Sequence, residues 1–294
     1  MSEFKAHAPQ RGLLDRLNLR HTPLLVWLSM GFFIAILLIC LLCEVIAPYH
    51  YTTQNLSARL QPPVFAGGSA RYWLGTDELG RDILSRLIYA IRFSMMVAVA
   101  GTVIGCVLGT VLGFIAAHFR GWIDEALMML VDAQAALPFM LLALAVLAFF
   151  GNSFVLFILL IGIHGWEQYA RLVRGMVLSA TSHGYAVAVR SLGAPPIRIY
   201  ARHILPNIAS AIIVSFTLNF PVTILLEASL SFLGLGVQPP LTSLGQMLGA
   251  GRAHLINAWW IAVFPGLVIF LMTLSVSILG DWLRDRLDPT LQRR

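Results

Sequence analysis

A chain of 294 residues that is 58% hydrophobic and only 12% charged, with a mean hydropathy of +0.80, is too apolar for a soluble domain of this size. Its net charge of +6 would suit nucleic acid in a soluble protein. Here the basic residues flank long apolar runs and read as orientation signals, so lipid is the expected partner and nucleic acid is not. Cys40, Cys43 and Cys106 all lie inside apolar runs, which favours small buried or lipid-facing side chains over a disulfide or a metal site.

In chain order, residues 1–22 carry Lys5, Arg11, Arg16 and Arg20 beside leucines 13, 14, 17 and 19, the pattern of an amphipathic helix on the inner surface. The charge-free run His21–Cys43 predicts a first spanning helix over 23–46. It is too long for a signal-peptide core and lacks a small-residue cleavage site after it, so it is expected to be retained. Residues 47–88 are polar, rich in turn formers and expected outside. Within them LGTDELGRDILSR places Thr76 or Asp77 to cap an interfacial helix.

A second span is predicted from Phe93 to Phe119, with glycines at 101, 105, 109 and 113 on one helical face. That stripe suits a packing seam between helices rather than a pore. The uncharged run Ala133–Trp166 exceeds one span, and Gly151-Asn152-Ser153 divides it into a hairpin of spans three and four. Asp132 and Glu167 fall near their inner ends, where solvation or pairing with a nearby arginine accounts for them.

The basic segment His183–Asn207 follows. Between Glu167 and Glu227 there is no acidic residue, but there are five arginines, Arg171, Arg174, Arg190, Arg198 and Arg202. Such a loop stays cytoplasmic. Gly193 interrupts the helical pattern and Pro195-Pro196 suit the start of a new helix. Spans five and six are expected at Pro206–Leu233 and Ala258–Leu279, with Trp259 and Trp260 at the outer edge and Glu227 near the outer face. Lys and Arg then divide into 14 inside, five outside and Arg92 at a boundary, which places both termini inside.

The chemistry is marked by what is missing. Lys5 is the single lysine, so the chain encodes no G-x-x-x-x-G-K-[ST] phosphate loop and no buried Schiff-base lysine. Neither H-E-x-x-H nor G-x-S-x-G occurs, and the eight histidines are scattered. No catalytic residue, metal site or cofactor is expected in this chain. An apolar protein with one large, basic, turn-punctuated loop is suited to receive work from a separate protein. A proton-coupled carrier using Asp132, Glu167 or Glu227, and a structural scaffold, stay open on the residues alone.

The loop resembles the EAA motif of binding-protein-dependent ABC importers. Tyr185, Ala188, Arg190, Leu192 and Gly193, followed by Ala194, match its first half, and Leu205-Pro206 match its second. The chain departs at Val187, where the motif's glutamate falls, and at Val189, so no salt bridge is expected from position 187. Four further stretches are similar to the C-type permease subunit of dipeptide and oligopeptide importers. They are LGTDELGRDILSRL with Gly75, Thr76, Asp77, Gly80, Arg81 and Asp82; Asp132 followed by Leu137-Pro138; EASLSFLGLGVQPP with Glu227, Gly234 and Gly236; and the ending GDWLRDRLDP.

The resemblance implies an all-α polytopic protein with the six-helix transmembrane fold of type I ABC importers. Its core spans residues 89–280, with a coupling loop at 175–205 and a cytoplasmic tail from 281 to 294. It implies a second, homologous permease, two cytoplasmic ATPases that hold ATP and Mg, and a periplasmic solute-binding protein, all at an inner membrane. The family's cargo includes dipeptides, oligopeptides, glutathione and nickel complexes.

Overall fold

The computed structural model describes residues 22–181, 191, 193 and 195–287. These are helical throughout apart from turns and one isolated bridge between Thr76 and Asp82. Helix α1 (Leu24–Ile46) is apolar on every side, and Leu24, Leu28, Leu41 and Val45 are exposed as lipid-facing residues would be. It stops at Ala47, whose extended conformation is the one required before Pro48.

Helix α2 runs Ile83–Phe119, about 55 Å at 1.5 Å per residue, longer than the hydrocarbon core of a bilayer. It begins ten residues before the predicted Phe93. Ser85, Arg86 and Arg92 do not end it, because Ser85 and Arg86 are buried beneath the segment 47–82 and bonded there.

After Arg120, itself at φ +53, α3 (Gly121–Ala136) turns back at once. The simple hairpin predicted from Ala133 is corrected here in two ways. Pro138 separates α3 from α4 (Phe139–Phe150) with a 90° bend, since a proline disfavours helix at the residue before it. Beyond Gly151, α5 (Phe154–Ile163) is broken from α6 (Trp166–Thr181) at His164-Gly165.

Helix α7 is continuous over Pro196–Phe232, whereas the predicted span began at Pro206. A π-helical turn, Tyr200–Ile204, lies just ahead of Pro206, whose ring and missing N–H forbid the ordinary bond to Arg202. A short helix α8 (Leu244–Gly251) leads to α9 (Trp260–Leu287), which continues past the predicted end at Leu279. By length and apolarity, four helices among the described residues can each cross a membrane, α1, α2, α7 and α9, or five spans if the bent pair α3–α4 counts as one.

The glycine stripe of α2 lies against α5 and α6. A Cβ at Gly105 would stand 3.0 Å from the carbonyl oxygen of Gly162, one at Gly113 would stand 2.7 Å from that of Ala170, and one at Gly109 would overlap that of Trp166. Without side chains the backbones approach closely, which is how helices gain dispersion energy in lipid. A second core joins α2, α7, α8 and α9 through Ile91, Met95, Ile224, Leu244, Met247, Ile261 and Met272. Residues 47–82 sit over one end of this bundle, the plug end; α6 and α7 meet at the other, the loop end.

Candidate functional site

At the plug end, residues 74–82 form a hydrogen-bonded knot in place of the expected interfacial helix. Asp77 is wholly buried, and its carboxylate accepts from the backbone N–H groups of Leu79 and Arg81 at 2.9 Å each, from Arg81 Nε at 2.6 Å and from Arg86 Nη1 at 2.5 Å. Asp82, not Thr76 or Asp77, is the N-cap of α2 and accepts from the backbone N–H and the hydroxyl of Ser85. Burial pushes its carboxyl above the usual range, and the Ser85 bonds oppose that shift.

Thr76 binds inward as well. Its hydroxyl donates to the carbonyl of Ala58 at 2.5 Å, and its own carbonyl accepts from Trp260 Nε1 at 3.0 Å. Gly75 at φ +83 and Gly80 at φ +70 take left-handed conformations where a side chain would also strike the backbone of Gln61 and Asn55. The knot is thus a built plug that fastens the start of α2 to the start of α9.

Beneath it Glu227 is fully buried on α7, with Oε1 accepting from the Ser231 hydroxyl at 2.7 Å and the Ser94 and Ser243 hydroxyls beside it. Ser94 Oγ accepts from the backbone of Leu244, and Ser243 caps α8. The carboxyl therefore sits where α2, α7 and α8 meet. Gly234 ends α7 at φ +82, and a side chain at Gly236 would collide with Ser231.

The contact between α3 and α6 carries a different set. Gln134 of α3 accepts from Trp166 Nε1 at 2.6 Å and donates to the carbonyl of Ile163 at 2.8 Å, clasping the break between α5 and α6. Below it Arg171 pairs with Asp132 at 2.9 Å, and Arg174 grips Asp124 through two nitrogens. Glu167 takes a longer bond from Gln134 at 3.4 Å. Pro138 is the N-cap of α4.

Of the candidate coupling residues, Tyr185, Ala188, Arg190, Leu192 and Ala194 lie outside the described residues. Gly193 is exposed, with φ +78 and, among the described residues, no atom within 4 Å of where a Cβ would stand. Pro195 caps α7 and Pro196 is its first residue. Leu205 and Pro206 follow the π turn, and Ile204 and Ile208 pack on Val173 and Val177 of α6. Among the described residues Cys40, Cys43 and Cys106 form no disulfide, and Cys43 Sγ accepts from Arg92 Nη1 at 3.0 Å.

Sequence reasoning missed Trp260, Arg86, Gln134 and Glu227's serine partners as structural ties. A buried tryptophan or arginine needs a hydrogen-bond partner, but no spacing in the sequence names which one.

A helical bundle with apolar outer faces, a fastened plug at one end and a glycine-and-proline turn opening a long helix at the other defines a polytopic membrane subunit. Residues 109–293 match the family described as binding-protein-dependent transport system inner membrane component, and residues 24–63 match the N-terminal transmembrane domain of oligopeptide transport permease C. The chain belongs to this family of ABC importer permeases, whose members are multi-pass subunits of the inner membrane and not themselves enzymes.

The di/tripeptide transport system permease protein DppC of Pseudomonas aeruginosa is 40% identical over 262 residues, covering 89% of this chain and 86% of that one. The glutathione transport system permease protein GsiD of Escherichia coli is 39% identical over 265 residues, covering 89% and 85%. Among solved structures, a chain of the MetNI methionine ABC transporter in inward-facing form has a TM-score of 0.54 at 19% identity, over 69% of this chain and 96% of its own. An amino acid ABC transporter with histidines gives a TM-score of 0.51 at 16% identity, over 68% and 94%.

Proposed function

We propose that this chain is one half of the translocation path of an ATP-driven importer of small peptides, working by alternating access. Six spans, α1, α2, α3–α4, α5–α6, α7 and α9, cross the membrane with both termini and the loop end in the cytoplasm and the plug end in the periplasm. A second, homologous permease completes the path. Two ATPases below hold ATP and Mg, and a solute-binding protein delivers cargo above.

The observation that carries this reading is the local geometry after the basic loop. Gly193 in the left-handed region and Pro195-Pro196 opening a helix of 37 residues set a sharp turn directly against a rigid element that reaches the plug end. ATP-driven closure of the ATPases, gripping residues 182–194, turns that helix and its neighbours. Only a ligand that prefers one conformation shifts such an equilibrium, and ATP at the ATPase dimer supplies the preference. Peptide cargo is supported by the di/tripeptide and glutathione relatives, glutathione being itself a small peptide.

The test is uptake of labelled dipeptide and of glutathione by vesicles containing the whole importer. Uptake is expected to require ATP hydrolysis and to survive a protonophore. Uptake that collapses with the proton gradient and persists with inactive ATPases overturns the reading in favour of a proton-coupled carrier.

A further inference from the structure

Beside the plug lies a cavity of about 130 Å³ that the knot described above does not use. Four buried polar atoms without a partner among the described residues belong to residues that line it: Glu78 Oε2, Arg86 Nε, Thr242 Oγ1 and Gln246 Oε1. Arg86 is 4% exposed and spends Nη1 on Asp77, which leaves its Nε–H as a donor with nothing to bind. Thr242 is 2% exposed. An orphaned buried polar group forfeits its hydration without compensation, so four around one cavity call for an occupant.

The chemistry of the occupant follows from the donors and acceptors. Arg86 Nε and the Thr242 hydroxyl can donate; Glu78 Oε2, Gln246 Oε1 and the Thr242 oxygen can accept. A bare anion would meet two acceptor oxygens, and a bare cation would meet the guanidinium. Only a molecule that both donates and accepts satisfies the set. At about 30 Å³ each, roughly four water molecules fill the volume.

We propose that this cavity is a built hydration site, a water cluster that bridges the plug, through Glu78 and Arg86, to the segment entering α8, through Thr242 and Gln246. The two elements are then joined at this place through exchangeable water.

The experiment exploits a difference of sign. Thr242→Val keeps the shape and removes only the hydroxyl, and Gln246→Met does the same for the amide. In a hydrated cavity each takes a partner from the cluster, and the Tm of the chain, purified with the subunits that accompany it, falls by about 2 °C or more; Thr242→Ser restores it. In a dry cavity each removes an unsatisfied group, and Tm is unchanged or rises, which overturns the proposal. If a variant does not assemble, a high-resolution density map of the unaltered complex decides: discrete peaks within hydrogen-bond distance of Arg86 Nε and Thr242 Oγ1 support the cluster, and an empty cavity or continuous density of an organic solute refutes it.

Discussion

The indole of Trp260 donates to the carbonyl of Thr76 across 184 positions of sequence, at 3.0 Å and in a buried setting. This bond fastens the plug to the last helix. Trp260→Phe keeps most of the ring and leaves the Thr76 carbonyl unpaired, so thermal unfolding should show a loss of about 1–3 kcal/mol. Trp260→Ala also opens a void and should lose about 3–5 kcal/mol. Equal stability of the phenylalanine variant and the parent would show that the bond contributes nothing.

Arg86 and Asp77 form a buried ion pair at 2.5 Å, with exposures of 4% and 0%. Arg86→Met strips Asp77 of a buried counter-charge and should cost about 3–5 kcal/mol, whereas Asp77→Leu should cost less in the Arg86→Met background than in the parent, because no buried guanidinium is then stranded, although the N–H groups of Leu79 and Arg81 lose their acceptor in both. A double-mutant cycle on thermal unfolding measures the coupling. Additive losses would mean that Arg81 alone suffices for Asp77.

Gly109 packs against the backbone of Trp166, whereas nothing lies within 4 Å of a Cβ placed at Gly31 of α1. Gly109→Ala should therefore destabilise by about 1–3 kcal/mol and lower the yield of assembled protein, with Gly31→Ala close to neutral or slightly stabilising. Size-exclusion chromatography in detergent separates the two cases. Equal behaviour would remove the glycine stripe from the packing argument.

Asp82 gives a pH dependence. Its folded carboxyl titrates above the unfolded one, so between the two values the folded state holds more protons. Its contribution to stability is therefore greatest in acid and is lost as pH rises through the folded value. Asp82→Asn keeps a capping oxygen and loses the charge, so its Tm relative to the parent should be highest at neutral pH and decline on acidification. A difference that grows in acid would reverse the assigned shift.

Proline fixes φ near −65°, which is incompatible with the +78 of Gly193. Gly193 is exposed, and among the described residues no atom lies within 4 Å of a Cβ placed there, so Gly193→Pro should leave assembly intact and abolish solute-stimulated ATP hydrolysis in the whole importer. Normal stimulation in this variant would exclude the turn from coupling.

The apolar runs and the glycine register of α2 were legible from composition and period, because lipid imposes both directly. The knot at residues 74–82 was not. Its motif was visible, but Thr76 binds back to Ala58, and Asp77 closes a turn onto the N–H groups of Leu79 and Arg81 and pairs with Arg86, so neither caps α2. The start of α2 was misplaced for a related reason, since a charged residue outside the apolar core still continues a helix when something covers it, as Arg86 is covered. Helix α9 runs on past Leu279 with Asp281, Arg284 and Asp285 exposed, because a helix leaving the apolar layer need not stop there. Pro138 and Gly165 broke the predicted spans three and four because hydropathy averages over a kink without registering it.

The close seam of α2 has one more consequence. With main chain pressed against main chain from Gly105 to Gly113, no file of water fits between these helices and no proton can hop along it. Along that stretch the joint is closed by backbone itself, so the closure does not hang on the rotamer of any one side chain.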